Sequence, residues 1–242
     1  MSGHSKWANI KHKKEKSDSR KGKVFTKLGR EIAVAVKQGG PDPEGNSRLK
    51  DVIAKAKAEN MPNDTIDRSI KKAAGDMDGA NYEEIVYEGY GPEGVALIIE
   101  SMTDNRNRTA GDLRFILSKH GGNLGATGCV SFMFNKKGVI LIEKNEKTDE
   151  DKLMLSAIDA GAEDIAFEDE YIEITTDPNT FSSTREVLEK FYKLDSAAIE
   201  MIPTSYVSVK DEKNAELMEK LIDALDDNDD VLNVWHNWER EE

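Results

Sequence analysis

From Lys23 onward, apolar residues fall at helical intervals: Phe25, Leu28, Ile32 and Ala35 share one face until Gly39-Gly40-Pro41 stops the run. A second helix is predicted where Leu49, Val52, Ile53 and Ala56 line up. Asn46 or Ser47 caps it, and it must end before Pro62. Ile66, Ile70 and Ala73 predict a third, capped by Asn63 or Asp64, with Lys71 and Lys72 in its last turn and Gly75 as its stop. Three short amphipathic helices of this kind make a small bundle.

After Gly75-Asp-Met-Asp-Gly-Ala-Asn81, which carries no periodicity and reads as a linker, strand-like runs alternate with helical ones. Strands are predicted near 83–88 and 95–101, a helix from about Arg106 to His120 closed by Gly121-Gly122, and a strand through Val130, Phe132 and Phe134 with its aromatics in the core. From Gly138 the order is strand (139–142), helix (149–160), strands (164–168 and 171–175), helix (180–194) and strand (197–202), a complete β-α-β-β-α-β ferredoxin-like cycle. A strand at 206–209, a helix at 214–225 and a strand at 231–235 follow. The predicted fold is α+β, with an N-terminal three-helix bundle and two ferredoxin-like α/β domains, one inserted into the other. Residues 1–75 form the basic arm and bundle, 80–135 and 204–242 a discontinuous domain, and 136–203 the insert.

The 242 residues suit two or three compact units. No apolar run approaches the roughly 18 residues of a membrane span, and Met-Ser-Gly-His-Ser-Lys-Trp lacks the apolar stretch of a secretory signal. The expectation is a cytoplasmic monomer with no membrane partner. Cys129 is the only cysteine and the four histidines are scattered, so neither a disulfide nor a zinc site is expected, and no cofactor is implied. Cys129 reads as a buried packing residue.

Catalytic motifs fail on context. Gly89, Gly91 and Gly94 spell G-x-G-x-x-G, but Val95-Ala-Leu-Ile-Ile99 continues as a strand where a dinucleotide fingerprint requires a helix, so a hairpin turn is favoured. Acidic runs at 149–151, 163–170 and 226–230 lack calcium-loop spacing and read as solvated faces and helix ends. No serine, cysteine or histidine sits in a nucleophile context, which leaves an enzyme acting on nucleotides as a remote alternative.

Charge changes the picture most. The net of −13 hides a division: residues 1–75 carry 18 Lys and Arg against 9 Asp and Glu, whereas 76–242 carry 16 against 38. Beyond a Debye length of about 8 Å such ends act independently, so the basic third can meet a phosphate backbone. The candidate nucleic-acid contacts are Lys6, Trp7, Lys11, His12, Lys13, Lys14, Lys16, Arg20, Lys21, Lys23, Lys27 and Arg30. Among them the aromatic residues, joined by Phe25, can stack on bases or sugars. The cations continue through Lys50, Lys55, Lys57, Arg68, Lys71 and Lys72. A second candidate is Arg106, Arg108 and Arg114, around a helix start where the dipole already favours anions, although Asp104 or Asn105 also suits a plain cap there.

Gly3-His-Ser-Lys-Trp7, Asn9-Ile-Lys-His-Lys-Lys14, Gly39-Gly-Pro-Asp-Pro43, Asn60-Met-Pro62, Thr103-Asp-Asn-Arg-Asn-Arg108 and Gly121-Gly-Asn-Leu-Gly125 together resemble the YebC/PmpR family, which includes mitochondrial translational activators. The resemblance runs from residue 3 to about 238. It implies a three-domain cytoplasmic protein without enzymatic activity. Its partner would be nucleic acid, either DNA as a transcriptional regulator working with the transcription machinery, or ribosomal RNA as a ribosome-associated translation factor relieving stalls such as those at consecutive prolines.

Overall fold

The computed structural model describes residues 21–75, 81–145 and 148–240. Among the described residues three helices come first: α1 (Lys21–Gly39), α2 (Ser47–Ala58) and α3 (Asn63–Gly75). Their apolar stripes meet in one buried cluster containing Leu28, Ile32, Ala35, Leu49, Val52, Ala56, Met61 and Ile66. Asn46 joins the first two helices. Its Oδ1 accepts from the Leu49 N–H at 3.0 Å as the cap of α2, while its Nδ2 donates to the Ala35 and Gly40 carbonyls at 2.8 and 2.9 Å. A Cβ on Gly39 would lie 2.7 Å from the Asn46 side chain, so glycine there lets the connection close. The first bonds of α3 run to the Pro62 carbonyl, from Thr65 and Ile66.

The chain then runs β1 (Glu83–Tyr90), β2 (Ala96–Thr103), α4 (Arg106–Lys119), β3 (Asn123–Leu124), β4 (Phe134–Glu143), α5 (Glu150–Asp159), β5 (Ala162–Phe167), β6 (Tyr171–Thr176), α6 (Phe181–Leu188), β7 (Leu194–Pro203), β8 (Val207–Ser208), α7 (Glu212–Asp226), β9 (Val231–His236) and β10 (Trp238–Glu239). Strands β3-β1-β2-β9 form one antiparallel sheet. On one face Leu97 and Ile99 pack with Leu113 and Leu117 of α4 and with Met218, Leu221 and Leu225 of α7. On the other, Ala96 and Ile98 meet Val130 and Phe134. Strands β5-β6-β4-β7 form the second sheet, in the order and antiparallel sense of a ferredoxin-like unit, covered by α5 and α6 through Leu153, Ala157, Phe181 and Leu188. The fold is therefore α+β, as the periodicities predict.

Gly89, Gly91 and Gly94 lie in the β1–β2 hairpin, closed by a Gly91 N–H to Val95 carbonyl bond of 2.8 Å, with Gly94 at φ +78°. Three details differ from expectation. Residues 131–133 form a short 3-10 turn, so the strand starts only at Phe134; Phe134 is buried but Phe132 is 76% exposed. Cys129 is half-buried beside Tyr90 and Met133, in the loop before that turn. Helix α6 ends at Leu188, well before 194, because Tyr192 and Leu194 are needed in the core of the second sheet.

The bundle is bonded to the rest of the chain. Asp51 of α2 accepts from Ser182 and Arg185 of α6, and Lys50 pairs with Glu186 at 2.9 Å. Lys55 donates to both oxygens of Glu31 at 2.9 and 3.0 Å, with Glu100 of β2 and Glu200 of β7 adding to its field.

Candidate nucleic-acid interface

Intervals of four and three residues put Lys23, Lys27 and Arg30 on one face of α1, away from Leu28 and Ile32. That face is occupied by the end of α7. Lys23 Nζ donates to the Asp227 carbonyl at 3.1 Å and pairs with its carboxylate at 3.0 Å. Lys27 Nζ donates to the Asp226 carbonyl at 2.7 Å. Arg30 donates to the Asp229 carbonyl at 2.7 Å and to Asp230 Oδ1 at 3.1 Å, and its guanidinium lies 5.3 Å from the centre of the Tyr82 ring. The last carbonyls of a helix lack intrahelical partners and carry the negative end of its dipole, so cations suit them. Lys21 stands exposed at the start of the same helix. Lys6, Trp7, Lys11, His12, Lys13, Lys14, Lys16 and Arg20 lie outside the described residues.

Asp230 gathers the second candidate motif. Its Oδ2 accepts from Thr103 Oγ1 at 3.1 Å, Thr109 Oγ1 at 2.8 Å and Arg108 at 2.9 Å, while Oδ1 takes Arg30. Burial pushes its acid strength the unfavourable way, but these donors outweigh it and hold the carboxyl below its usual range. Arg108 also reaches Asp104 at 2.9 Å, and these two carboxylates raise its own pKa further. Asn105 caps α4 by accepting from the Arg108 N–H at 3.0 Å. Arg108 thus fastens the start of α4 to the loop before β9, whereas Arg106 and Arg114 lie exposed without an ion pair among the described residues. Both flank Tyr87, whose hydroxyl donates to the Arg106 carbonyl at 3.2 Å.

Of the bundle's other cations, Lys50 pairs with Glu186 of α6, Lys55 pairs with Glu31 inside the bundle, and Arg68 folds back onto Asp64 and Thr65 of its own helix. Lys57, Lys71 and Lys72 remain exposed. The acidic partners at 226–230 were legible only as a charge run, since nothing in the sequence says that residues about 200 positions apart will meet.

Glu88 has a different use for its charge. Buried at the end of β1, it accepts the backbone N–H groups of Gly128, Val130 and Ser131 at 2.7, 2.7 and 2.8 Å, tying down the loop before the 3-10 turn. Among the described residues no group of three or more His, Cys, Asp or Glu side chains could hold a metal ion, and no helix is long and apolar enough to cross a membrane.

Two family models match the chain, the TACO1/YebC N-terminal domain over residues 5–76 and the TACO1/YebC second and third domains over residues 82–238. Among similar curated proteins, one from Acetivibrio thermocellus is 67% identical over 239 residues, covering 98% of this chain and 99% of its own. Another, from Caldicellulosiruptor saccharolyticus, is 60% identical over 243 residues and the whole of both chains. Each is named a probable transcriptional regulatory protein. The crystal structure of a conserved hypothetical protein from Aquifex aeolicus superposes with a TM-score of 0.81 at 45% identity, covering 93% of each chain.

Proposed function

Because the chain belongs to the TACO1/YebC family, we propose that it regulates gene expression by binding nucleic acid through its basic N-terminal third, as a DNA-binding transcriptional regulator without catalytic activity. The observation that carries this reading is the division of charge, with 18 of 34 cations in the first 75 residues of an otherwise acidic chain. The names of the curated relatives support the regulatory role. Phosphates, not bases, are the natural targets of this end. Lys and Arg on a helix supply affinity more readily than sequence discrimination, and the exposed face of α3 mixes Lys71 and Lys72 with Asp64 and Asp67.

That same mixture favours a second reading, in which structured ribosomal RNA is the ligand and the protein acts in translation, because shape and phosphate contacts suffice there. Exchanging Lys11, Lys13 and Lys14 for Glu tests the common premise. Affinity falls for every nucleic-acid sequence and its dependence on salt flattens; unchanged affinity overturns the proposed arm. Crosslinking in cells with recovery of the attached nucleic acid, alongside gradient sedimentation with and without RNase, separates the two ligands. Promoter DNA in a light fraction supports the transcriptional reading, and ribosomal RNA in an RNase-sensitive ribosomal fraction replaces it.

A further inference from the structure

The outer face of α4 is unlike the rest of the acidic two-thirds of the chain. The helix carries Arg106, Arg108, Arg114 and Lys119 against Asp112 alone; Arg106 falls on the side of Leu113 and Leu117 and Arg108 is held by Asp104 and Asp230, which leaves Arg114 and Lys119 as the cations beside the outer face. Phe115 lies on this face with 66% of its surface exposed, and the Lys119 ammonium sits 5.9 Å from the centre of its ring. The apolar needs of the helix are met elsewhere, by Thr109, Leu113 and Leu117 against the sheet, so Phe115 is not required for packing.

The residues between the cations and the ring are small. Gly111 and Ser118 are exposed between Arg114 on one side and Phe115 on the other, as the helical advance of about 100° per residue dictates. Glycine inside a helix costs about 1 kcal/mol relative to alanine. At Gly111 that cost has no internal justification, because a Cβ there would meet nothing within 4 Å. A strip kept low, edged by a guanidinium and by an aromatic ring carrying a cation, matches what a nucleic-acid strand lying along a helix requires. Close approach, a π-face for a base and cations for the flanking phosphates are all present.

We propose that this face of α4 is a second nucleic-acid contact, specific for a single-stranded segment, in which an unpaired base stacks on Phe115 and adjacent phosphates pair with Arg114 and Lys119. A duplex cannot offer an unstacked base, so the site distinguishes strand state where the basic arm does not. The proposal rests on the reading of the chain as a nucleic-acid-binding protein.

The test uses the full chain and fluorescence anisotropy with a labelled single-stranded oligonucleotide and its duplex. Phe115→Ala weakens single-strand binding by about tenfold, the order expected for loss of one stacked base, and leaves the duplex unchanged. The pair Arg114→Glu and Lys119→Glu weakens it further and flattens its salt dependence. Phe132→Ala, which removes an equally exposed ring outside this face, has no effect. All variants retain wild-type circular dichroism, since none of these side chains is buried. Wild-type single-strand affinity for Phe115→Ala, or an equal loss on the duplex, overturns the site. If the Lys11, Lys13 and Lys14 variant has lost affinity in the same assay, only this site falls; if that variant also binds normally, the functional reading falls with it.

Discussion

Arg30 of α1 and Arg108 of α4 bind opposite oxygens of one carboxylate, that of Asp230, at 3.1 and 2.9 Å. The helical bundle and the first sheet are therefore joined at a buried anion, and the adjoining carbonyls of Asp226, Asp227 and Asp229 draw in Lys27, Lys23 and Arg30. Acidic groups stand on the face of α1 where phosphates are proposed to bind, so the two must compete. Exposed ion pairs contribute about 0.2–1 kcal/mol each. Changing Asp227 to Asn, which removes the carboxylate paired with Lys23 while sparing Asp230, should tighten nucleic-acid binding by up to a few-fold at low salt. The gain should vanish at high salt, where screening removes both interactions. An anisotropy titration at two ionic strengths checks this; equal affinities at low salt would exclude the α1 face from the interface.

A second junction centres on Lys55. Burial alone would lower its pKa, but Glu31 at 2.9 Å, aided by Glu100 and Glu200, raises it above its ordinary 10.5. A cation with a raised folded pKa contributes stability that is fully present below about 10.5 and is lost as pH rises through the folded value. Lys55→Met leaves Glu31, Glu100 and Glu200 without their common cation, and the side chain is about a third exposed, so the loss at neutral pH should be about 1 kcal/mol. Urea unfolding of both proteins at neutral pH and above pH 11 checks it, the difference shrinking at the higher pH. Adding Glu31→Gln should recover part of the loss.

The helices and the ferredoxin-like cycle were legible because each buries one stripe or one face, and that constraint imposes its period on the sequence. Leu28, Ile32 and Ala35 display it, as do Ile140, Ile142, Ile172 and Ile174. Phe132 and Phe134 mislead because alternation marks a shared face only while the backbone stays extended; the 3-10 turn at 131–133 sends the first ring into solvent. In the candidate site, the cations could be read but their engagement could not. Lys23, Lys27 and Arg30 follow the same pattern as Lys71 and Lys72, and only the docking of α7 distinguishes them.

Close approach at Gly138 gives a third prediction. This residue of β4 pairs with Thr176 and Ile199, and a Cβ there would lie 2.3 Å from Thr176 Oγ1 and 2.6 Å from the Phe181 ring. Both neighbours are buried, so neither can swing into solvent. Gly138→Ala should cost about 1–3 kcal/mol as an overpacked core, read from the midpoint of urea unfolding. A neutral result would mean that α6 shifts on the sheet without loss.

Glu88 offers the clearest dependence on acid. Burial pushes its pKa up, but the N–H groups of Val130, Gly128 and Ser131 outweigh that and hold it below its ordinary 4.5. A carboxylate with a depressed folded pKa contributes stability that is present above the unfolded pKa and lost as pH falls through the folded value. Glu88→Gln removes the charge and turns an amide N–H₂ toward at least one backbone donor, which should cost about 1–3 kcal/mol near pH 7. Below about pH 4.5 the unfolded chain takes up the proton first and the folded carboxyl only at lower pH, so the two unfolding free energies should converge as the pH falls through the folded value. A constant difference across that range would mean that the loss comes from altered packing and not from the carboxylate's charge.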